Sequence, residues 1–129
     1  MTRAYFLMGA MLALAVPAAA AEDYASGAIT EVKTAKGEVL ANDKGMTLYT
    51  FDKDKKGVSA CYDSCAKKWP PLVAAKGAQA SAEFTLVKRQ DGTMQWAHEG
   101  MPLYVWQNDK KPGDVTGDGV GGVWHIARD

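Results

Sequence analysis

The chain contains an internal duplication. Residues 28–74 align with residues 83–129 without a gap, at an offset of 55 positions, and thirteen aligned positions are identical. Average composition would give only about three coincidences over such a span. Because each copy of a repeat is one structural unit, the duplication restricts the fold to two similar units. The identical residues, numbered in the first copy, are Thr30, Val32, Lys33, Gly37, Gly45, Met46, Leu48, Tyr49, Asp54, Lys55, Lys56, Asp63 and Trp69.

Each copy begins with short segments in which apolar and polar residues alternate. This alternation predicts half-buried strands, and the Asn, Asp and Gly residues between them supply the positive φ that tight hairpin turns need. The predicted strands are 29–33, 39–40 and 46–51 in copy one, and 84–88, 93–97 and 101–106 in copy two.

The copies differ after the third strand. In copy one, residues 57–68 contain both cysteines in a run of helical character, which ends before Pro70 because a residue preceding proline is disfavoured in a helix. In copy two, the same interval is a glycine-rich loop over 112–122. Short apolar segments follow at 72–74 and 124–127, and we expect each to close its own unit as a last strand.

These patterns predict an all-β fold made of two tandem β-meander repeats, at about 28–74 and 83–129, with a short helical turn near the cysteines. Residues 75–82 form a low-complexity linker between the repeats. A single unit of this size buries too little apolar surface to be stable alone. We therefore expect residues 22–129 to form one sandwich-like domain with pseudo-twofold symmetry.

The N-terminus is typical of a signal peptide covering residues 1–21. Arg3 supplies a positive charge, an apolar run follows over 5–16, and small residues at 19–21 offer a cleavage site. The apolar run is too short to remain as a membrane-spanning helix. The first cysteine is Cys61, so no lipid-anchor cysteine stands at the cleavage point. The sequence therefore predicts a periplasmic or secreted protein with no stable membrane anchor after cleavage.

The charge of the chain gives no support for nucleic acid as a partner. The chain carries 15 basic and 15 acidic residues, so its formal net charge is zero. A balanced surface gives no electrostatic argument for binding nucleic acid.

A Tyr-x-aromatic-x-x-Asp motif occurs at the third strand of each copy. Residues two apart on a strand face the same side, so the tyrosine and the aromatic residue share a face. The aspartate falls just past the strand end, where a carboxylate can accept hydrogen bonds from loop amides. The motif residues are Tyr49, Phe51 and Asp54 in copy one and Tyr104, Trp106 and Asp109 in copy two.

The motif also has a distinctive context. A Gly-Met-x-Leu-Tyr lead-in precedes it in both copies, and residues 61–72 read Cys-Tyr-x-x-Cys-Ala-x-x-Trp-Pro-Pro-Leu. Together these features resemble a family of secreted and lipoprotein repeats of unknown function. The resemblance covers essentially the whole predicted mature chain. It implies an exported module built from repeats and supplies no established activity.

Six aromatic residues allow two interpretations. They can form the shared core of the two copies, or they can line a groove between the copies that holds a flat or apolar ligand. The six residues are Tyr49, Phe51, Trp69, Tyr104, Trp106 and Trp124.

Cys61 and Cys65 are the only cysteines. Export to an oxidising compartment and a spacing of one helical turn favour a disulfide that crosslinks one loop. Two alternatives stay open, a thiol-redox site and a Cu(I) site, since copper in this state prefers soft sulfur donors. His98 lies at a predicted hairpin turn, where we expect it to be exposed. The candidate copper ligands are Cys61, Cys65, Met46, Met94, Met101, His98 and His125.

The sequence carries no catalytic motif that we recognise, neither an elbow serine nor a distinctive pair of carboxylates. A non-enzymatic binding or interaction module of the cell envelope is therefore favoured, without a cofactor, whose partner is an envelope protein or a small ligand. The alternative function is a periplasmic copper-binding or thiol-redox protein centred on Cys61 and Cys65.

Overall fold

The computed structural model describes residues 23–129, and the predicted signal peptide lies outside this range. The described chain consists mostly of short strands with one short helix, as predicted. Two 3-10 turns lie at Ala25–Gly27 and Val120–Gly122. In chain order the elements are β1 (Asp23–Tyr24), β2 (Ile29–Thr34), β3 (Gly37–Asn42), β4 (Tyr49–Phe51), α1 (Ser64–Lys68), β5 (Phe84–Lys88), β6 (Met94–His98), β7 (Met101–Pro102) and β8 (Trp124–Ile126).

Each copy begins with an antiparallel hairpin, formed by β2 and β3 in copy one and by β5 and β6 in copy two. The first hairpin closes with a two-residue turn between Thr34 and Gly37. The Thr34 hydroxyl accepts the amide of Lys36 and donates to the carbonyl of Gly37, while Gly37 adopts a positive φ of 90°. Such a φ is available to glycine at no steric cost. Strand β1 extends the first hairpin and β7 extends the second.

The two segments that carry the motif, which we call the motif strands, pair at the centre of the molecule through an antiparallel bridge between Tyr49 and Tyr104. The predicted strand 101–106 of copy two is shorter than expected, since β7 ends at Pro102 and Tyr104 takes part only in isolated bridges. The Tyr49 amide donates to the Tyr104 carbonyl over 2.8 Å, and the Tyr104 amide donates to the Tyr49 carbonyl over 3.0 Å. These tyrosines are equivalent residues of the two copies, so the pseudo-twofold axis passes between them. The predicted arrangement of two copies in one pseudo-symmetric all-β unit is therefore confirmed.

The closing segments are exchanged between the copies, which corrects the expectation that each would complete its own unit. Strand β8 of copy two pairs with β4 of copy one. In the symmetric position, the Leu72 amide donates to the Leu103 carbonyl over 2.9 Å, and Pro71 bridges Tyr104. Because the motif strands occupy the axis, the free edge of each one faces the closing segment of the other copy.

The structural equivalence of the two copies differs by one residue from the gapless sequence alignment over the second strand of each hairpin. The Leu48 amide donates to the Leu40 carbonyl in copy one, and the equivalent Leu103 amide donates to the Trp96 carbonyl in copy two. Leu40 and Trp96 are 56 positions apart, whereas Leu48 and Leu103 are 55 apart. The second copy therefore has one extra residue in its first hairpin turn and one fewer in its next turn.

Both copies contribute to two buried clusters. One contains Ile29, Leu40 and Leu48 of copy one with Phe84, Trp96 and Leu103 of copy two. The other contains Tyr49, Phe51 and Trp69 with Tyr104 and Trp124. Neighbouring residues on β4 and just before it face opposite clusters, so this central strand is buried on both sides. The shared core that the duplication predicts is present.

Candidate functional site

The motif residues form hydrogen bonds between the copies. The Tyr49 hydroxyl donates to Asp109 Oδ2 over 2.6 Å, and the Tyr104 hydroxyl donates to Asp54 Oδ2 over 2.7 Å. The tyrosine of each motif therefore binds the aspartate of the other motif. We call these two contacts the reciprocal Tyr–Asp pairs. All four side chains are buried.

Loop groups hold the second oxygen of each aspartate. The Ala60 amide donates to Asp54 Oδ1 over 2.7 Å. In copy two, the Thr116 amide and hydroxyl donate to Asp109 Oδ1 over 2.9 and 2.7 Å. Each aspartate therefore fixes the loop that follows its own motif strand while accepting a tyrosine from the other copy.

Burial raises the pKa of both motif tyrosines well above its ordinary value, and the neighbouring aspartates add to this effect. Each phenol therefore keeps its proton at physiological pH and acts as a permanent donor. Burial also raises the pKa of Asp54, and the opposing contributions from Tyr104, Ala60 and Arg89 only partly offset it. This chemistry suits a fixed structural contact, since neither phenol is poised to release its proton.

Arg89 of copy two is buried, and copy one has no arginine at the equivalent position. Arg89 donates to Ser59 Oγ over 3.0 Å, to Gln95 Oε1 over 2.9 Å and to the Cys61 carbonyl over 2.9 Å. Its guanidinium lies 4.3 Å from the centre of the Tyr62 ring. The sequence predicted no role for Arg89, because no spacing or motif distinguishes it from a solvated arginine at a strand end.

The Ser59 hydroxyl connects this arginine to one reciprocal pair. Ser59 Oγ lies 2.6 Å from the Tyr104 hydroxyl, which in turn donates to Asp54. The resulting chain of buried polar groups runs from Arg89 through Ser59 and Tyr104 to Asp54. The arginine and the aspartate carry opposite charges at the two ends of this chain, and each neighbouring pair is joined by a hydrogen bond. These bonds compensate the free-energy cost of burying the two charged groups.

The predicted disulfide between Cys61 and Cys65 is present, with an S–S distance of 2.05 Å. It lies at the start of α1, and Cys61 is fully buried. In copy two, Thr116 aligns with Cys61 and stabilises its own loop by bonding to Asp109. The two copies therefore fix the same interval by different means.

The candidate copper ligands lie in several places. The cysteine sulfurs are bonded to each other, so in this state neither is a thiolate donor. The β6–β7 register places His98 opposite Met101. His125 lies on β8, where its Nε2 is 2.8 Å from Asp52 Oδ2. The remaining candidates, Met94 and Met46, lie at the start of β6 and in the turn before β4. Copper binding stays a prediction, and one that applies to the reduced chain.

Four aromatic rings form a continuous stack across the pseudo-twofold axis, which we call the aromatic ladder. Phe51 stacks on Trp124 with ring centroids 4.2 Å apart, and Trp124 stacks on Trp69 at 3.8 Å. Trp69 then stacks on Trp106 at 3.9 Å. Since Trp69 and Trp124 are equivalent residues, the centre of the ladder is symmetric.

The two motif tyrosines complete this packing. Tyr49 forms a T-shaped contact with Trp69, and Tyr104 forms one with Trp124. Five of the six aromatic residues that the sequence singled out are buried, and Trp106 is half-buried. In this arrangement the rings contact one another, so a flat ligand would have to displace one of them.

Gly117 lies against these rings. A Cβ atom at this position would lie 2.8 Å from Trp69 Cη2 and 2.9 Å from Tyr49 Cζ. Its amide also donates to the Tyr49 hydroxyl over 3.2 Å. The glycine-rich loop of copy two is therefore tied to a reciprocal pair, with no space for a side chain at its closest approach.

Comparison with protein families agrees with this duplicated architecture. A family model described as a secreted repeat of unknown function matches twice, at residues 30–73 and 85–128. The chain belongs to this family of secreted repeats. The two matches cover about two thirds of the sequence and coincide with the two copies seen in the structure. No curated protein and no solved structure matches the chain.

The family description bears on location. Its members are described as secreted, and among residues 23–129 no helix is long and apolar enough to cross a membrane. The structure adds that the tyrosines and aspartates of the Tyr-x-aromatic-x-x-Asp motif lie between the copies, where they hold the two halves together.

Proposed function

We propose that this secreted repeat protein is a non-catalytic binding module of the cell envelope. The observation that carries the proposal is the inward orientation of the motif. Both motif tyrosines, both motif aspartates and most of the aromatic ladder are buried between the copies. The residues common to both repeats thus build a rigid scaffold, and recognition falls to the surface that they support.

The surface around residues 73–79 is the best candidate for recognition. Two adjoining hollows, of about 310 and 370 Å³, lie along this segment and share residues 75–78. Trp96 lines one hollow and Met94 lines the other. Val73, which lines the second hollow, is 52% exposed. Apolar residues and a few polar ones, among them Lys76, line the hollows, whose size is at the lower end of small-ligand sites.

This surface suits an apolar group of an envelope protein or a small apolar ligand. The balanced charge of the chain argues against nucleic acid as the partner. The leader pattern and the disulfide support the periplasm of a cell with two membranes, or the exterior, as the location. Fractionation of cells that express the full chain tests this part of the proposal. Recovery of the uncleaved chain in the cytoplasm would contradict it.

Photo-crosslinking in the living cell tests the surface. A photoreactive residue replaces Val73 in one variant and Val58 in another, since these two valines have similar exposure of 52% and 56% but lie in different loops. We expect Val73 to give a discrete crosslinked product that Val58 does not give. The proposal fails if both positions give the same products, or if neither gives any.

A further inference from the structure

His98 is not the exposed turn residue that the sequence suggested. Its side chain is only 11% exposed, and its Nε2 atom is buried without a hydrogen-bond partner. Within the described residues, it is the one buried side-chain nitrogen or oxygen in this condition. A buried polar atom without a hydrogen-bond partner destabilises the folded protein. Its presence in a native structure therefore needs a physical explanation, such as an ion bound there.

Two carboxylates stand around this nitrogen. Glu83 Oε1 lies 3.9 Å from His98 Nε2, and Asp129 Oδ1 lies 3.7 Å from it. One ligand atom from each of the three residues lies within 4.8 Å of the others. The two distances to His98 Nε2 are too long for hydrogen bonds. They are only slightly longer than the roughly 3.3–3.6 Å between ligand atoms around a tetrahedral ion with bonds of about 2.0–2.2 Å.

The surrounding structure holds the three groups in place. His98 lies opposite Phe84 at the end of β6, and their rings are 5.1 Å apart. The Glu99 amide donates to the Glu83 carbonyl over 2.7 Å, which ties the start of β5 to the end of β6. The Tyr24 hydroxyl donates to Asp129 Oδ2 over 2.9 Å and leaves Oδ1 directed to His98. Such outer contacts commonly orient metal ligands.

Copy one provides an internal comparison. Asn42 is the structural equivalent of His98, because it pairs with Ile29 as His98 pairs with Phe84. The positions equivalent to Glu83 and Asp129 are Ala28 and Ala74. Asn42 uses its side-chain oxygen to accept the amides of the following turn, at 3.0 Å for both Lys44 and Met46. The cluster is therefore not required by the repeat fold, because the same place in copy one is built without it.

We propose that Glu83, His98 and Asp129 bind a divalent transition-metal ion of the zinc class. A neutral imidazole and two carboxylates carry a net charge of −2, which a divalent cation neutralises. An imidazole nitrogen selects against Ca²⁺ and Mg²⁺, which take oxygen ligands. Three N/O ligands without sulfur select against Cu(I) and suit Zn²⁺ or Co²⁺. Both carboxylates are about one-third exposed, at 35% and 36%, so an ion can enter from solvent.

Titration of the metal-free protein with Zn²⁺ by calorimetry tests this site. We expect about one ion per chain at micromolar concentration. His98→Asn introduces the residue found at the equivalent position of copy one, and it should weaken binding at least tenfold. Glu83→Gln removes one carboxylate charge and should weaken it similarly. His125→Asn is the matched control, since His125 is the other histidine of the chain, and it should bind Zn²⁺ as the wild type does.

Two further measurements make the result independent of folding. Thermal unfolding establishes that each variant is folded before its affinity is compared. In the wild type, Zn²⁺ should shift the NMR signals of the His98 ring and leave those of His125 unchanged. The proposal is overturned if the folded wild type binds no Zn²⁺ up to 100-fold above the micromolar range, if His98→Asn binds as tightly as the wild type, or if only the His125 signals move.

Discussion

Removing the hydroxyl group of a motif tyrosine should destabilise the whole protein, because each hydroxyl joins the two copies. Tyr49→Phe deletes the donor to Asp109 Oδ2 and the acceptor of the Gly117 amide. Tyr104→Phe deletes the donor to Asp54 Oδ2 and a contact with Ser59. The rings themselves stay, so packing of the aromatic ladder is preserved.

The magnitude follows from these contacts. A hydrogen bond to a charged group contributes about 1.5–3 kcal/mol, and each buried aspartate retains the loop donors on its other oxygen. We therefore expect each single substitution to lower the free energy of unfolding by about 2 kcal/mol. For a domain of this size that corresponds to a decrease in Tm of about 9 °C. It is a large share of a total stability of about 5–15 kcal/mol.

Urea unfolding monitored by tryptophan fluorescence and by circular dichroism provides the assay. Both probes should report one transition with an unchanged m value and a lower midpoint. Tyr62→Phe is the control, since its ring lies beneath Arg89 and its hydroxyl is outside the reciprocal pairs. That variant should stay within about 0.5 kcal/mol of the wild type. Losses below 0.5 kcal/mol for both motif tyrosines would refute the reasoning.

Three further predictions concern the same core. Gly117→Ala should lower the free energy of unfolding, measured by chemical denaturation, by about 1–3 kcal/mol, because its Cβ would lie at or within 3.0 Å of three aromatic rings. An unchanged free energy of unfolding would show that the loop can move away from the rings. Replacing both Cys61 and Cys65 by serine should lower the free energy of unfolding by about 2 kcal/mol and leave the fold intact, since the disulfide closes a very short loop. Loss of all structure in the circular dichroism spectrum would contradict this. Burial raises the pKa of Asp54, so its carboxyl contributes stability that is present below about pH 3.9 and is lost as pH rises through the folded pKa. The stability of the wild type relative to Asp54→Asn should therefore decrease with pH across that window, and a constant or increasing difference would exclude the interpretation.

Much of the fold could be predicted from local patterns. The predicted strand 84–88 matches β5, and the predicted strands 29–33 and 93–97 match β2 and β6 to within a residue at each end. The alternation of apolar and polar residues and the turn residues between them determine these hairpins locally. The shared core also follows from the duplication, because one unit of this size cannot bury enough apolar surface.

The exchange of closing segments could not be predicted from sequence. A segment such as 124–127 has the same apolar pattern whether it pairs with its own motif strand or with the other one. The pairing is decided by which edge of each motif strand remains free once Tyr49 and Tyr104 meet at the axis. That is a property of the assembled pair of copies.

The motif was predicted in part. Its aspartates do accept hydrogen bonds from loop amides, as the position past a strand end indicates. Their tyrosine partners lie 60 and 50 positions away in sequence, and no spacing rule connects them. His98 was likewise misjudged, because a histidine at a predicted hairpin turn gives no indication that Glu83, just before β5, and Asp129, after β8, approach it.

The central claim is that each motif tyrosine binds the aspartate of the other copy, and double-mutant cycles measure this directly. One cycle combines Tyr49→Phe with Asp109→Asn, and the other combines Tyr49→Phe with Asp54→Asn. We predict a coupling energy of about 1–3 kcal/mol for Tyr49 with Asp109, and about zero, within 0.5 kcal/mol, for Tyr49 with Asp54. Strong coupling within one copy together with additivity between the copies would contradict the account.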